Sequence, residues 1–110
     1  KSGVQHWWMQ RLTAVALVPL TLWLIWSLIQ LTGAEHQSVV TWLSQPVQSI
    51  LMLTLIAATF YHMQLGLQVV IEDYIQTEGI KITMIITVKL VSVLLAASAV
   101  FAVLKVVFGD

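Results

Sequence analysis

Three long apolar runs, separated by short polar breaks, organise this chain. Leu12 to Ala34 carries no formal charge, His36 to Ile71 carries no Asp, Glu, Lys or Arg, and Ile82 to Leu104 carries only Lys89. A membrane-spanning helix needs about 20 mostly apolar residues. The first run therefore predicts a span at about 12–31. The second is too long for one span and too short for two plus a turn. Its Pro46 suits the first turn of a helix, which predicts a span at about 46–71. The third run predicts a span at about 82–108. Thr32-Gly33-Ala34-Glu35-His36 is polar and contains glycine, so it ends the first helix. Ser38 is the expected cap of a short interfacial helix carrying Val39, Val40, Trp42 and Leu43. Glu78-Gly79 is the expected tight turn between the second and third spans. Pro19 falls inside the first span, where membrane helices tolerate a kink. With no internal repeat and no low-complexity linker, residues 1–110 read as one all-α membrane domain of three transmembrane helices.

Composition narrows this reading. Apolar residues make up 59% of the chain and charged residues 9%, with a mean hydropathy of +0.93. A soluble domain carries about 25% charged residues, so the charged shell of a water-soluble globule is missing. Net charge is zero and no Lys/Arg cluster exists, which excludes a basic nucleic-acid binder. High apolar content with low net charge excludes disorder. The lack of cysteine removes disulfides, thiolate nucleophiles, iron–sulfur ligation and Cys-based zinc sites. The apolar run after Arg11 is longer than that of a cleavable signal, and no small-residue cleavage site follows it.

The few charges also orient the chain. Three spans place the N-terminus and the second loop on one side of the membrane, with Lys1, Arg11 and Lys81; the other side has Lys105. Basic residues near span ends favour the inside. The N-terminal side is thus expected to be cytoplasmic, or matrix if the membrane is mitochondrial. Trp7, Trp8 and Trp42 are expected in the aromatic belts.

Within the spans, His62 stands out. An ionisable residue at that depth is costly and marks a functional candidate. One reading is a histidine hydrogen-bonded to a neighbouring helix. The other is a metal ligand, since a neutral imidazole nitrogen binds haem iron or another metal well. A non-haem metal wants several ligands, and the second span offers no other His or carboxylate near His62. Gly66 and Ala58 lie four residues either side of His62, on its helical face. They leave room for a flat macrocycle, or simply allow close helix packing. A six-coordinate haem would take its second axial ligand from another chain, which implies a partner subunit.

Other polar residues cluster toward the N-terminal side. Asp73 follows His62 by eleven positions, about 20° off the same face, and Tyr74 lies about 18 Å from His62 along the helix. Tyr74 reads either as an interfacial tyrosine beside a solvated Asp73 or as a hydrogen-bond donor to a quinone carbonyl with Asp73 orienting it. Arg11 suits a propionate or a quinone carbonyl, or snorkels to lipid headgroups. Lys89 snorkels to the same interface. Ala96-Ala97-Ser98-Ala99 is a helix-packing patch. His36 is expected in solvent, and Gln64 with Gln68 on a second polar face toward a partner helix.

These residues resemble a known pattern. His62-Met-Gln-Leu-Gly66 followed by Val-Ile-Glu-Asp73-Tyr74 resembles the second span of the succinate dehydrogenase hydrophobic membrane anchor subunits. In that family a glycine follows the histidine by four positions, and Asp-Tyr follows by eleven and twelve. Gly3-Val4 and Arg11-Leu-Thr13-Ala14 resemble the family's Gly-Val start and its Arg-x-Thr-Ala opening of span one. The resemblance covers nearly the whole chain. It implies a helical bundle shared with a cytochrome b membrane subunit, one b-type haem and a ubiquinone site between them. An iron–sulfur subunit and a flavoprotein subunit would dock on the cytoplasmic or matrix face. By resemblance His62 is one axial haem ligand, with Gly66 packed on the haem. Tyr74 hydrogen-bonds the quinone with Asp73 beside it, and Arg11 sits near the haem propionates. The family's histidine directly after Gly-Val is Gln5 here, and His6, one position later, is the second propionate candidate. The chain would do no chemistry alone. It would support electron transfer from succinate to ubiquinone in a bacterial inner membrane, or a mitochondrial one.

Three other readings are carried. The anchor of a quinol:fumarate reductase would share the architecture. A small proton-coupled transporter would need an intramembrane carboxylate, whereas every acid here is at a span end or in a loop. A haem-free scaffold would use His62 for packing only.

Overall fold

The computed structural model describes residues 2–109; Lys1 and Asp110, which enter the charge pattern above, lie outside the described residues. Four helices follow in order: α1 (Ser2–Leu31), α2 (His36–Ser44), α3 (Pro46–Tyr74) and α4 (Glu78–Phe108). Among the described residues there is no strand. α1, α3 and α4 are each long and apolar enough to cross a membrane. A helix covers each of the three expected spans and extends beyond it. A helix of 30 residues is about 45 Å long, against about 30 Å of hydrocarbon. The surplus in α1 is mainly the stretch before Leu12, which carries the polar residues Gln5, His6, Gln10 and Arg11.

The breaks have local causes. At the end of α1, Gly33 adopts φ +80°, a conformation that favours glycine, and Ala34 N–H donates to Leu31 O at 2.9 Å. Between α2 and α3 stands Gln45, extended at φ −68°, ψ 136°. Proline disfavours the α conformation in the residue before it, so Pro46 both ends α2 and opens α3. Two expectations need correction. The short helix α2 begins at His36 after an extended Glu35, so Ser38 lies inside it and is not its cap. The reversal between α3 and α4 is made by Ile75-Gln76-Thr77. Glu78 and Gly79 are already helical, since a carboxylate is favourable in the first turn. Lys105 in the last turn of α4 completes the dipole match.

α3 is the centre of the arrangement, packed by α1 on one side and α4 on the other, with α2 against α3 and α4. Inside α1, Thr13, Leu20 and Ser27 are buried, spaced seven apart. That spacing of seven keeps the three residues on one helix-packing seam. Gln68 of α3 and Ser92 of α4 are buried too, while Trp26, Leu94 and Phe101 are exposed. Lipid tails are as apolar as leucine, so nothing drives large apolar groups inward; small and polar residues gain by packing and pairing between helices. Gln68 therefore faces the inside of this chain, where its Nε2 donates to Glu72 Oε2 at 3.2 Å, and not an outer partner helix as the spacing suggested. Trp7 and Trp8 are exposed in edge-to-face contact, as a belt requires. Trp42 stacks on Trp23 of α1 at 5.8 Å between ring centroids.

Candidate functional site

His62 sits near the middle of α3 and is half-buried against α1. Its Nδ1 lies 2.9 Å from Thr13 Oγ1, in a hydrogen bond that joins the two helices. Thr13 is buried, 7% exposed, and its hydroxyl also lies 2.7 Å from Met9 O one turn earlier. α1 and α3 run antiparallel. One turn along the seam Gly66 therefore meets Gln10: a Cβ built on Gly66 would stand 3.4 Å from Gln10 Nε2. Here glycine permits close approach rather than an unusual backbone angle. Gln10 Oε1 is buried and has no hydrogen-bond partner among the described residues.

Beyond Gly66 the seam opens into a cavity of ≈ 400 Å³. His6, Gln10 and Arg11 of α1 line one wall, with Leu65, Gly66 and Glu72 of α3 opposite. His6 is half-buried, whereas Arg11 is exposed with its guanidinium 5.0 Å from the Trp7 ring centroid, a cation–π distance. Three of the sequence candidates, Arg11, His6 and Gly66, thus share one cavity, with His62 one helical turn from Gly66. Asp73 and Tyr74 are elsewhere. Both are exposed at the end of α3, Tyr74 at 77%, and the acid that reaches the cavity is Glu72. His36 is exposed, as expected, and lines a groove with Lys105 at the opposite end of the bundle. Lys81 forms a 3.7 Å ion pair with Glu78 that is largely solvated.

Sequence reasoning missed Thr13 as the partner of His62 and Gln10 as the neighbour of Gly66. The 49-residue separation of the first pair carries no periodic signal. The pairing follows only from the register of α1 on α3.

The donor set at His62 is one imidazole. Among the described residues no group of three or more His, Asp or Glu is placed to hold a metal ion.

Comparisons with known proteins follow the same line. Residues 1–96 match the family described as succinate dehydrogenase/fumarate reductase transmembrane subunit. The chain is 39% identical over 103 residues to the succinate dehydrogenase hydrophobic membrane anchor subunit of Rickettsia bellii, covering 94% of this chain and 82% of the relative. It is 35% identical to the subunit of the same name from Rickettsia prowazekii, with the same coverage. The succinate dehydrogenase membrane anchor subunit of Reclinomonas americana is 28% identical over 96 residues, 84% of this chain and 80% of that protein. No solved structure is a significant match.

Proposed function

This chain belongs to the family of succinate dehydrogenase membrane anchor subunits, and from that premise we propose that it binds a b-type haem through His62 and helps form a ubiquinone site in a succinate:ubiquinone oxidoreductase. The observation that carries the reading is His62 itself, held by Thr13 in the α1–α3 seam one turn from Gly66 and its cavity. The residues fit a haem. A haem brings four ring nitrogens and asks the protein for one axial imidazole on each face. His62 supplies one such donor, and Gly66 adds no side chain to that face. Arg11 and His6 are cationic or hydrogen-bonding groups for propionates. When bound, such a group takes up and passes on single electrons. A partner membrane subunit would supply a further ligand, as the half-buried position of His62 allows.

Tyr74 and Asp73 are assigned to the quinone. Both are exposed on this chain, at the membrane end where Arg11 and Lys81 also lie. Tyr74 is a phenol donor for a quinone carbonyl, with Asp73 beside it to orient it. The exposed faces of the three spans fit against lipid and a cytochrome b subunit. The excess of basic residues, Arg11 and Lys81 against Lys105, supports an N-terminal end on the cytoplasmic side of a bacterial inner membrane, or the matrix side of a mitochondrial one, where the iron–sulfur and flavoprotein subunits would dock. Succinate is oxidised in those soluble subunits, and this chain positions the electron acceptor. A quinol:fumarate reductase anchor would use the same architecture; the named relatives above are succinate dehydrogenase subunits, and the reading follows them.

The test is the difference spectrum, reduced minus oxidised, of the purified complex. His62→Ala is expected to remove or shift the b-type absorbance while the soluble subunits still oxidise succinate with an artificial acceptor. An unchanged haem spectrum in that variant overturns the assignment.

A further inference from the structure

We propose that Thr13 is a positioning residue for His62: its hydroxyl selects the tautomer that carries the proton on Nδ1 and leaves Nε2 as the atom that binds iron. This rests on the haem reading above and deepens it.

A threonine hydroxyl has one proton to donate and two lone pairs to accept with. Thr13 Oγ1 stands 2.7 Å from Met9 O and 3.2 Å from Gln10 O. A carbonyl oxygen only accepts. Two oxygens at 2.7 Å need a proton between them, and 2.7 Å is the usual length of an O–H···O bond. The Thr13 proton is therefore committed to Met9 O, its own helix's carbonyl four residues back. His62 Nδ1, 2.9 Å from the same Oγ1, must then bring the proton to that contact. A neutral imidazole carries one N–H, so Nε2 is left with its lone pair. If Thr13 instead donated to Nδ1, the 2.7 Å contact with Met9 O would set lone pair against lone pair.

Two consequences follow for a bound haem. First, the ring is held at Nδ1, so its rotation about the Cβ–Cγ bond is restricted and the ligand plane is set by α1. Second, an acceptor on Nδ1–H raises the basicity of the coordinating nitrogen. A more basic ligand favours the oxidised iron, so loss of the acceptor raises the midpoint potential.

The experiment uses the assembled complex with Thr13→Val, which keeps the shape and removes the hydroxyl, and Thr13→Ser, which keeps the hydroxyl. Thr13→Val is expected to raise the haem midpoint potential by up to about 59 mV, a tenfold change in the ratio of oxidised to reduced haem for one electron. It should also change the electron paramagnetic resonance spectrum of the oxidised haem, which reports the orientation of the axial rings. Thr13→Ser should restore both toward the wild-type values. A Val variant that holds haem with unaltered potential and spectrum overturns the role of Thr13 and leaves His62 as ligand. If the Val variant fails to hold haem, Thr13→Ser decides: wild-type haem content and potential support the proposal, and loss or displacement of either overturns it. Retention of the full haem spectrum in His62→Ala removes the ligand itself, and the proposal with it, a failure distinct from the preceding ones.

Discussion

α1 and α3 are joined by side-chain hydrogen bonds at two levels, about 21 Å apart along α3 at 1.5 Å per residue. At one, Trp23 Nε1–H donates to Gln48 Oε1 at 3.1 Å, and the Trp23 ring stacks on Trp42 with planes 18° apart. At the other, His62 meets Thr13 at 2.9 Å. The pairs have similar length and similar half-burial of their α3 residue, yet they differ in what is left over. An indole has a single donor and no acceptor, so its one polar contact exhausts it. An imidazole has two nitrogens, and Thr13 engages one. The surroundings differ as well. The Trp23 level is filled by a second aromatic ring. The His62 level adjoins a glycine, a buried Gln10 Oε1 without a partner, and a cavity. A polar contact between membrane helices is a fastener when its donor has nothing further to offer and the space beside it is filled. It is a candidate site when the side chain it holds keeps bonding capacity beside open space.

That contrast is open to attack at several strengths. The largest effect is expected from Gly66→Leu, whose side chain would begin 3.4 Å from Gln10 Nε2 and grow into the cavity. Haem content per complex should fall at least tenfold. Gly66→Ala, displacing only the end of a flexible glutamine, should retain most of it. Equal retention by both would show that the cavity is not part of the site. Next comes Tyr74→Phe at the exposed end of α3. Loss of one hydrogen bond, about 0.5–1.5 kcal/mol, lowers the rate of ubiquinone reduction by up to roughly tenfold. Turnover with an artificial soluble acceptor is the internal reference, and unchanged ubiquinone reduction would remove Tyr74 from the quinone site. The smallest effect belongs to the fastener. Trp23→Phe keeps an aromatic ring against Trp42 and removes the donor to Gln48, which should cost about 1 kcal/mol of stability. Thermal unfolding of the complex in detergent would measure it, with haem spectrum and potential unchanged. A shifted haem potential in Trp23→Phe would erase the distinction between the two levels.

Much of the fold was legible because the physics of the bilayer is coarse. A run of about 20 residues without charge has few alternatives to a spanning helix. Pro46 and Gly33 mark breaks through backbone sterics that any context respects. The helix ends were less legible: Ser38 and Glu78-Gly79 carry turn-like chemistry but lie in the first turns of α2 and α4, which accept such residues as readily as a loop does. Gln68 was misplaced for a related reason. Apolar residues surround these helices on all sides, so periodicity does not say which face meets the neighbour.

The site divides along the same line. His62, Gly66 and Arg11 stood out as single candidates, an ionisable group within a span, a glycine on its helical face and a guanidinium at a span end. Their grouping was half legible. The spacing of Gly66 from His62 belongs to one helix, whereas Arg11 and His6 reach the same cavity only through the packing of α1 on α3. By itself, then, the sequence determined the number of spans, where the chain reverses and which residue is anomalous in the bilayer, since these depend on local transfer energies and backbone geometry. The tertiary structure alone decided that Thr13 meets His62 and that Glu72, not Asp73, lines the cavity. Contacts between antiparallel helices depend on register and rotation, and a nearly uniform apolar surface writes neither into the sequence.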